Sequence, residues 1–144
     1  MYDLYTVWHS TLSIYSFLEN VQKHWVKKII DVRAKPYSTY NPQYSQKAFK
    51  QKIEENGIEY VRAWKILWGF WTYWDEKRND WIEKLLRTLE KESVCIMCSE
   101  WNHKDCHRRQ RITKDVKDKC QVKHITTTWD IIDEEVILQS ASLF

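Results

Sequence analysis

Lys28-Ile29-Ile30-Asp31-Val32 is a near-continuous apolar run ending in charge, with Arg33 immediately after it. Such a run reads as a strand buried on both faces, the kind that builds a parallel sheet. Upstream, Leu4 to Val7 reads as an earlier strand. Ser13 is a good N-cap for a helix that places Ile14, Phe17, Leu18, Val21 and Trp25 on one apolar face. Downstream, Pro36 to Tyr44 contains two prolines with Ser and Asn and reads as a loop. A helix from about Gln46 to Asn56 has Phe49 and Ile53 one turn apart, and Gly57 stands at its C′ position.

The alternation continues to the end of the chain. Ile58 to Val61 is a third predicted strand, and residues 62–79 read as irregular and aromatic. Asn79 or Asp80 caps a helix whose Trp81, Ile82, Leu85, Leu86 and Leu89 form a clear amphipathic stripe. Ser93 to Cys98 is a fourth strand, 99–105 a polar loop, and Asp105 or Cys106 opens the last helix. Gln121 to Ile125 is a fifth strand. The tail from Thr126 adds an edge strand around Trp129 to Ile132, or wraps a surface. The expectation is an α/β fold: one doubly wound, mainly parallel five-stranded sheet with helices on both faces. Residues 1–125 form that domain and 126–144 a C-terminal extension.

Right-handed crossovers place the carboxyl ends of parallel strands on one side of the sheet. Ligands of such folds bind in the crevice there. Polar residues recur at those ends in three segments: His9-Ser10-Thr11, Asp31-Val32-Arg33, and Cys98-Ser99-Glu100 with Cys106-His107-Arg108. A thiol at a helix N-terminus beside Arg is the setting for a reactive thiolate, which makes Cys106 a candidate nucleophile. The same terminus, with Arg108, suits a phosphate or carboxylate. The other reading makes Cys106 a small buried apolar residue and pairs Arg108 with a carboxylate. His9 suits general acid or base work near neutral pH, with Glu100 as a second candidate. Ser10 and Thr11 bind an anion or cap the helix that follows. Asp31 and Arg33, two apart on a strand, share a face. They orient His9 and bind ligand, or they form an internal ion pair.

With these residues in view, the chain resembles the family catalogued as domain of unknown function 488. Its members have a strand then Gly-His-Ser-Thr, an Asp-Val-Arg strand end then Pro and an Asn-Pro loop, and a late strand with Cys-x-Glu then Cys-His-Arg. Here those read Trp8-His9-Ser10-Thr11, Asp31-Val32-Arg33 with Pro36 and Asn41-Pro42, and Cys98-Ser99-Glu100 with Cys106-His107-Arg108. Gly57-Ile-Glu-Tyr-Val61 is similar to the third strand. The resemblance spans roughly residues 3 to 125. It implies the α/β fold and adds Asn41, Cys98 and His107 to the ligand-binding candidates. It implies no reaction. Trp8 stands where the family usually has Gly, and the aromatic segment after Val61 replaces a glycine-containing loop.

Composition narrows the function further. Two glycines in 144 residues leave no glycine-rich phosphate loop. No apolar run approaches the roughly 20 residues of a membrane span. The N-terminus lacks a secretory pattern, so the cytoplasm is the expected location, with reduced cysteines. The net charge of +3 is only mildly basic, but Lys104 to Lys119 holds seven Lys or Arg against three Asp. Nine tryptophans include the cluster Trp64, Trp68, Trp71 and Trp74. Cys95-Ile-Met-Cys98 is a C-x-x-C whose sulfurs face opposite sides of a strand, against a redox pair. Counting from Cys98, a Cys-x5-Arg loop would need Arg at Lys104, so that anion cradle is absent. No cofactor is expected. Zinc on Cys98, His103, Cys106 and His107 is the weaker alternative, because their spacing fits no common zinc module.

Three functional expectations stand. The first is a crevice for an anionic, phosphorylated ligand such as a nucleotide. His9, Glu100 and Cys106 are its catalytic candidates, and Arg33 and Arg108 its anion binders. The second is a non-catalytic nucleic-acid-binding module using the basic helix and the tryptophan segment. The third is a structural polar network in an interaction protein.

Overall fold

The computed structural model describes residues 2–9, 13–33, 36, 39–63, 72–98, 107–125 and 131–133, and of 72–78, 98, 107–111 and 132 the backbone. The elements run β1 (Asp3–Trp8), α1 (Ile14–Lys23), β2 (Lys28–Asp31), a 3₁₀ turn (Pro42–Tyr44), α2 (Gln46–Glu55) and β3 (Glu59–Arg62). There follow α3 (Thr72–Leu89), β4 (Val94–Cys98), α4 (His107–Val116), β5 (Gln121–Ile125) and β6 (Ile131–Asp133). The sheet order is β3-β2-β4-β1-β5-β6. Five strands are parallel, as the buried apolar runs predicted. The short β6 pairs antiparallel with β5 at one edge.

Successive strand side chains alternate between faces, and the buried residues accordingly fall into two clusters. Leu4, Trp8, Ile30, Val94, Ile96 and Val122 pack with Ile82, Leu85 and Leu89 of α3 and Ile112 and Val116 of α4. Val7, Ile29, Tyr60, Cys95, Met97 and Ile125 pack with Phe17, Leu18 and Val21 of α1 and Phe49 and Ile53 of α2. The predicted stripe of α3 is the packed one: Ile82, Leu85 and Leu89 are buried, with Trp81 and Leu86 partly buried against the same cluster.

Helix ends follow local chemistry. The Ser13 side chain accepts from the Ser16 N–H and caps α1. α1 and α2 end in the same way. After α1, Trp25 N–H donates to the Gln22 carbonyl and Val26 N–H to the Val21 carbonyl; after α2, Gly57 and Ile58 donate to Glu54 and Ile53. These are Schellman ends, which place a left-handed residue at C′. Gly57 takes that conformation at φ 75°, and Trp25 takes it at φ 60°.

Three expectations are corrected. Trp25 lies beyond α1 and is 78% exposed, so it is not part of the apolar face. The helix continues only to Lys23, because the reversal into β2 must begin there. α3 starts at Thr72, so residues 72–79 are helical rather than irregular, and Asn79 and Asp80 are exposed positions inside the helix rather than its cap. Residues 72–80 contain no Gly or Pro and include Glu76-Lys77-Arg78, so nothing local stops the helix from extending. The segment Pro36 to Tyr44 ends in a 3₁₀ turn whose Tyr44 is fully buried, because that ring fills the space between α1 and α2. Trp64, Trp68 and Trp71, and the predicted start of the last helix at Asp105 or Cys106, lie outside the described residues.

Candidate functional site

The strand register brings the polar strand ends together. Trp8 is paired with Cys98 and Asp31 with Met97, so the residues following β1, β2 and β4 emerge at one level of the sheet. β4 lies between β1 and β2, and β1 is interior. The chain leaves β1 toward β2 on one side of it and leaves β4 toward β5 on the other. A reversal of this kind is where open α/β sheets form their crevice.

Asp31 closes β2 with its carboxylate fully buried, and Arg33 beside it is 1% exposed. A buried charge requires a partner. Arg33 Nε donates to Asp31 Oδ1 at 2.9 Å and Nη2 donates to Oδ2 at 2.8 Å, a forked pair that two residues of spacing on one face makes possible. The Arg33 backbone N–H also reaches Oδ1, at 3.1 Å. Tyr60, from the adjacent β3, donates its hydroxyl to Oδ2 at 2.5 Å. Burial, followed by the Asp31 charge, pushes the Tyr60 phenol well above its ordinary pKa and keeps it a donor. Arg62 donates to the Asp31 carbonyl at 2.9 Å and lies 3.8 Å from Oδ1. The carboxylate is saturated by these partners and sealed from solvent.

Arg33 is equally committed. Its third donor, Nη1, reaches the Tyr44 carbonyl at 2.6 Å, and its guanidinium lies 5.7 Å from the centre of the Phe49 ring. Of the two sequence readings for Asp31 and Arg33, the internal ion pair is the arrangement present. His9 follows β1 and is 8% exposed. Its ring lies over the Tyr44 ring with centroids 4.4 Å apart and planes 20° apart.

The remaining sequence candidates are placed as follows. Cys98 is the last residue of β4, and His107 and Arg108 open α4. Asn41 is half-buried, and its carbonyl accepts from Tyr44 N–H at the start of the 3₁₀ turn. Ser10, Thr11, Glu100, Cys106 and His103 lie outside the described residues. Cys95, the other half of the C-x-x-C, is fully buried, and burial raises its thiol pKa, which disfavours the thiolate. Among the described residues no three potential metal ligands cluster, and no helix is long and apolar enough to cross a membrane.

Sequence reasoning missed Tyr44, Tyr60 and Arg62. Tyr60 lies on a strand two places before Arg62, and the register sets Arg62 opposite Asp31. That pairing is a property of the sheet, invisible in either segment alone. A second buried polar pair was also missed: Thr6 on β1 and His124 on β5, opposite each other, share a 2.5 Å hydrogen bond between Oγ1 and Nδ1.

No curated protein and no solved structure matches the chain. A family does match, over a shorter stretch than the resemblance at roughly 3 to 125 suggested. It contains Asp31, Arg33, Tyr44, Tyr60 and Arg62, and stops short of His9 on one side and of β4 and α4 on the other. Over residues 13–67 the chain matches the family described as Domain of unknown function DUF488, and its resemblance to that family is shown there.

Proposed function

We propose that the carboxyl ends of β1, β2 and β4 form a crevice for an anionic, phosphorylated ligand, a nucleotide or nucleic-acid component, in an intracellular protein. The observation that supports this reading most is the register that sets Trp8 beside Cys98 and Asp31 beside Met97. It gathers three distant segments at a reversal of the chain path. His9 is the acid or base group assigned to this crevice, with Glu100 second and Cys106 the nucleophile. Arg33 and Arg108 are the anion binders assigned to it; Arg33 already gives three of its five guanidinium N–H groups to Asp31 and Tyr44, so Arg108, on the first turn of α4, takes the larger share.

The test is a thermal-shift screen of nucleotides, sugar phosphates, short oligonucleotides and divalent metals on the wild type and Arg108→Ala. A phosphorylated compound that raises the melting temperature of the wild type alone supports the crevice. Stabilisation of both proteins by oligonucleotides, or by no compound at all, overturns it; the first of these results favours the nucleic-acid-binding module.

A further inference from the structure

Burying an ion pair is costly, and apolar residues of similar volume often stabilise a fold as well or better. The Asp31–Arg33 pair therefore calls for an account of what it specifies. Two of the three guanidinium nitrogens donate to Asp31, and the third donates to the Tyr44 carbonyl at 2.6 Å. Tyr44 ends a 3₁₀ turn of three residues that lacks a side-chain cap. Such short turns hold little stability of their own. The turn is fixed from outside, by Arg33 at Tyr44 and by the Gln46 N–H to the Pro36 carbonyl at 2.7 Å.

The Tyr44 ring has no freedom either. Phe17 meets it edge-on at 5.6 Å, Phe49 packs tilted at 5.8 Å, and its hydroxyl donates to the Ser13 carbonyl at 3.4 Å. His9 lies parallel on this fixed ring. The arrangement forms a chain of contacts from Asp31 through Arg33 and Tyr44 to His9. Asp31 binds the guanidinium, the guanidinium binds the Tyr44 carbonyl at the end of the turn, and the Tyr44 ring packs against the imidazole. Tyr44 is completely buried, whereas His9 keeps 8% of its surface open. The Tyr44 ring covers one face of the His9 imidazole.

We infer that Arg33 and Tyr44 are positioning residues that hold the His9 imidazole in one orientation at the carboxyl end of β1. This rests on the reading of His9 as the acid or base group of the crevice. Preorganisation of such a group by residues that never touch a ligand is a recurrent requirement of sites that transfer protons.

The test is side-chain NMR of the labelled full chain, with no ligand present. Tyr44→Phe keeps the ring, and the His9 ring protons should keep their upfield ring-current displacement. Asp31→Asn/Arg33→Gln removes both charges of the buried pair and the guanidinium donor to Tyr44, and leaves the partly exposed Arg62 its bond to the backbone carbonyl of residue 31. In that variant the displacement should be lost while the amide signals of β1 stay in place. A folded double variant with unchanged His9 ring signals overturns the inference. If the double variant does not fold, the wild type decides. A His9 ring as rigid as its backbone on the ps–ns scale, with nuclear Overhauser contacts to Tyr44, supports the inference, and a freely reorienting ring overturns it. The thermal-shift screen is separate. An empty screen with a rigid, Arg33-dependent His9 sinks the ligand reading alone. A bound nucleotide with His9 indifferent to Arg33 sinks the positioning role alone.

Discussion

Both ends of the sheet carry ion pairs of nearly equal length in opposite surroundings. At the carboxyl end Arg33 and Asp31 meet at 2.8 Å with both side chains sealed. At the amino end Lys123 meets Asp3 at 3.0 Å, and Lys28 bridges Glu92 at 2.9 Å and Glu59 at 3.3 Å, all with part of their surface in solvent. Distance alone would rank the pairs together. Water separates them, because it screens the amino-end charges and solvates either partner if the other is lost. The carboxyl-end pair has no such refuge. Charge is therefore sealed in at one end of the sheet and shared with water at the other.

The largest test of this contrast is a matched pair of neutralisations. Asp31→Asn leaves Arg33 buried without its counter-charge and should cost about 3–5 kcal/mol in urea unfolding. Asp3→Asn should cost no more than about 1 kcal/mol. Equal losses would break the comparison.

The two Schellman ends sharpen it. Both lead into strands at the amino end, and both demand a left-handed residue. A Cβ at Gly57 would meet nothing within 4 Å, so Gly57→Ala tests backbone conformation alone and should cost about 1–2 kcal/mol. Trp25→Gly relieves the same strain and gives up little burial, so it should stabilise by about 1 kcal/mol. A destabilised Trp25→Gly would show that the exposed indole makes a contact of its own.

The smallest effect concerns His24, which stacks on Tyr5 at 5.1 Å. Burial, then Lys23 and Lys123, lowers its pKa below the ordinary 6.5. The unfolded chain therefore takes up the proton first as pH falls. The stabilising contribution is intact above pH 6.5 and is lost as the pH drops from there toward the folded value. Unfolding free energy measured across that window should slope for the wild type and flatten for His24→Gln. Identical slopes would remove His24 from the account.

Much of the fold was legible because its signals are local. The run Lys28 to Val32, the Ser13 cap, Gly57 and the stripe from Ile82 to Leu89 each report their own backbone. The misses arose where local signals compete. Trp25 continued the helical spacing, but the chain reverses before it. The aromatic run before Asn79 resembled a loop, yet nothing in it breaks a helix. For the site, adjacency at i and i+2 was enough to pair Asp31 with Arg33. Tyr44 and Tyr60, 11 residues after Arg33 and 29 after Asp31, carried no signal that they meet this pair.

The sequence by itself determined the α/β class, the parallel strands and the polar segments that end them, because apolar periodicity and cap chemistry act within a few residues. Only the tertiary structure decided that β4 lies between β1 and β2, that Arg33 binds both Asp31 and the Tyr44 carbonyl, and that His9 rests on Tyr44. Those outcomes depend on which strands become neighbours and on the removal of water from charges. Both are properties of the packed chain rather than of any segment of it.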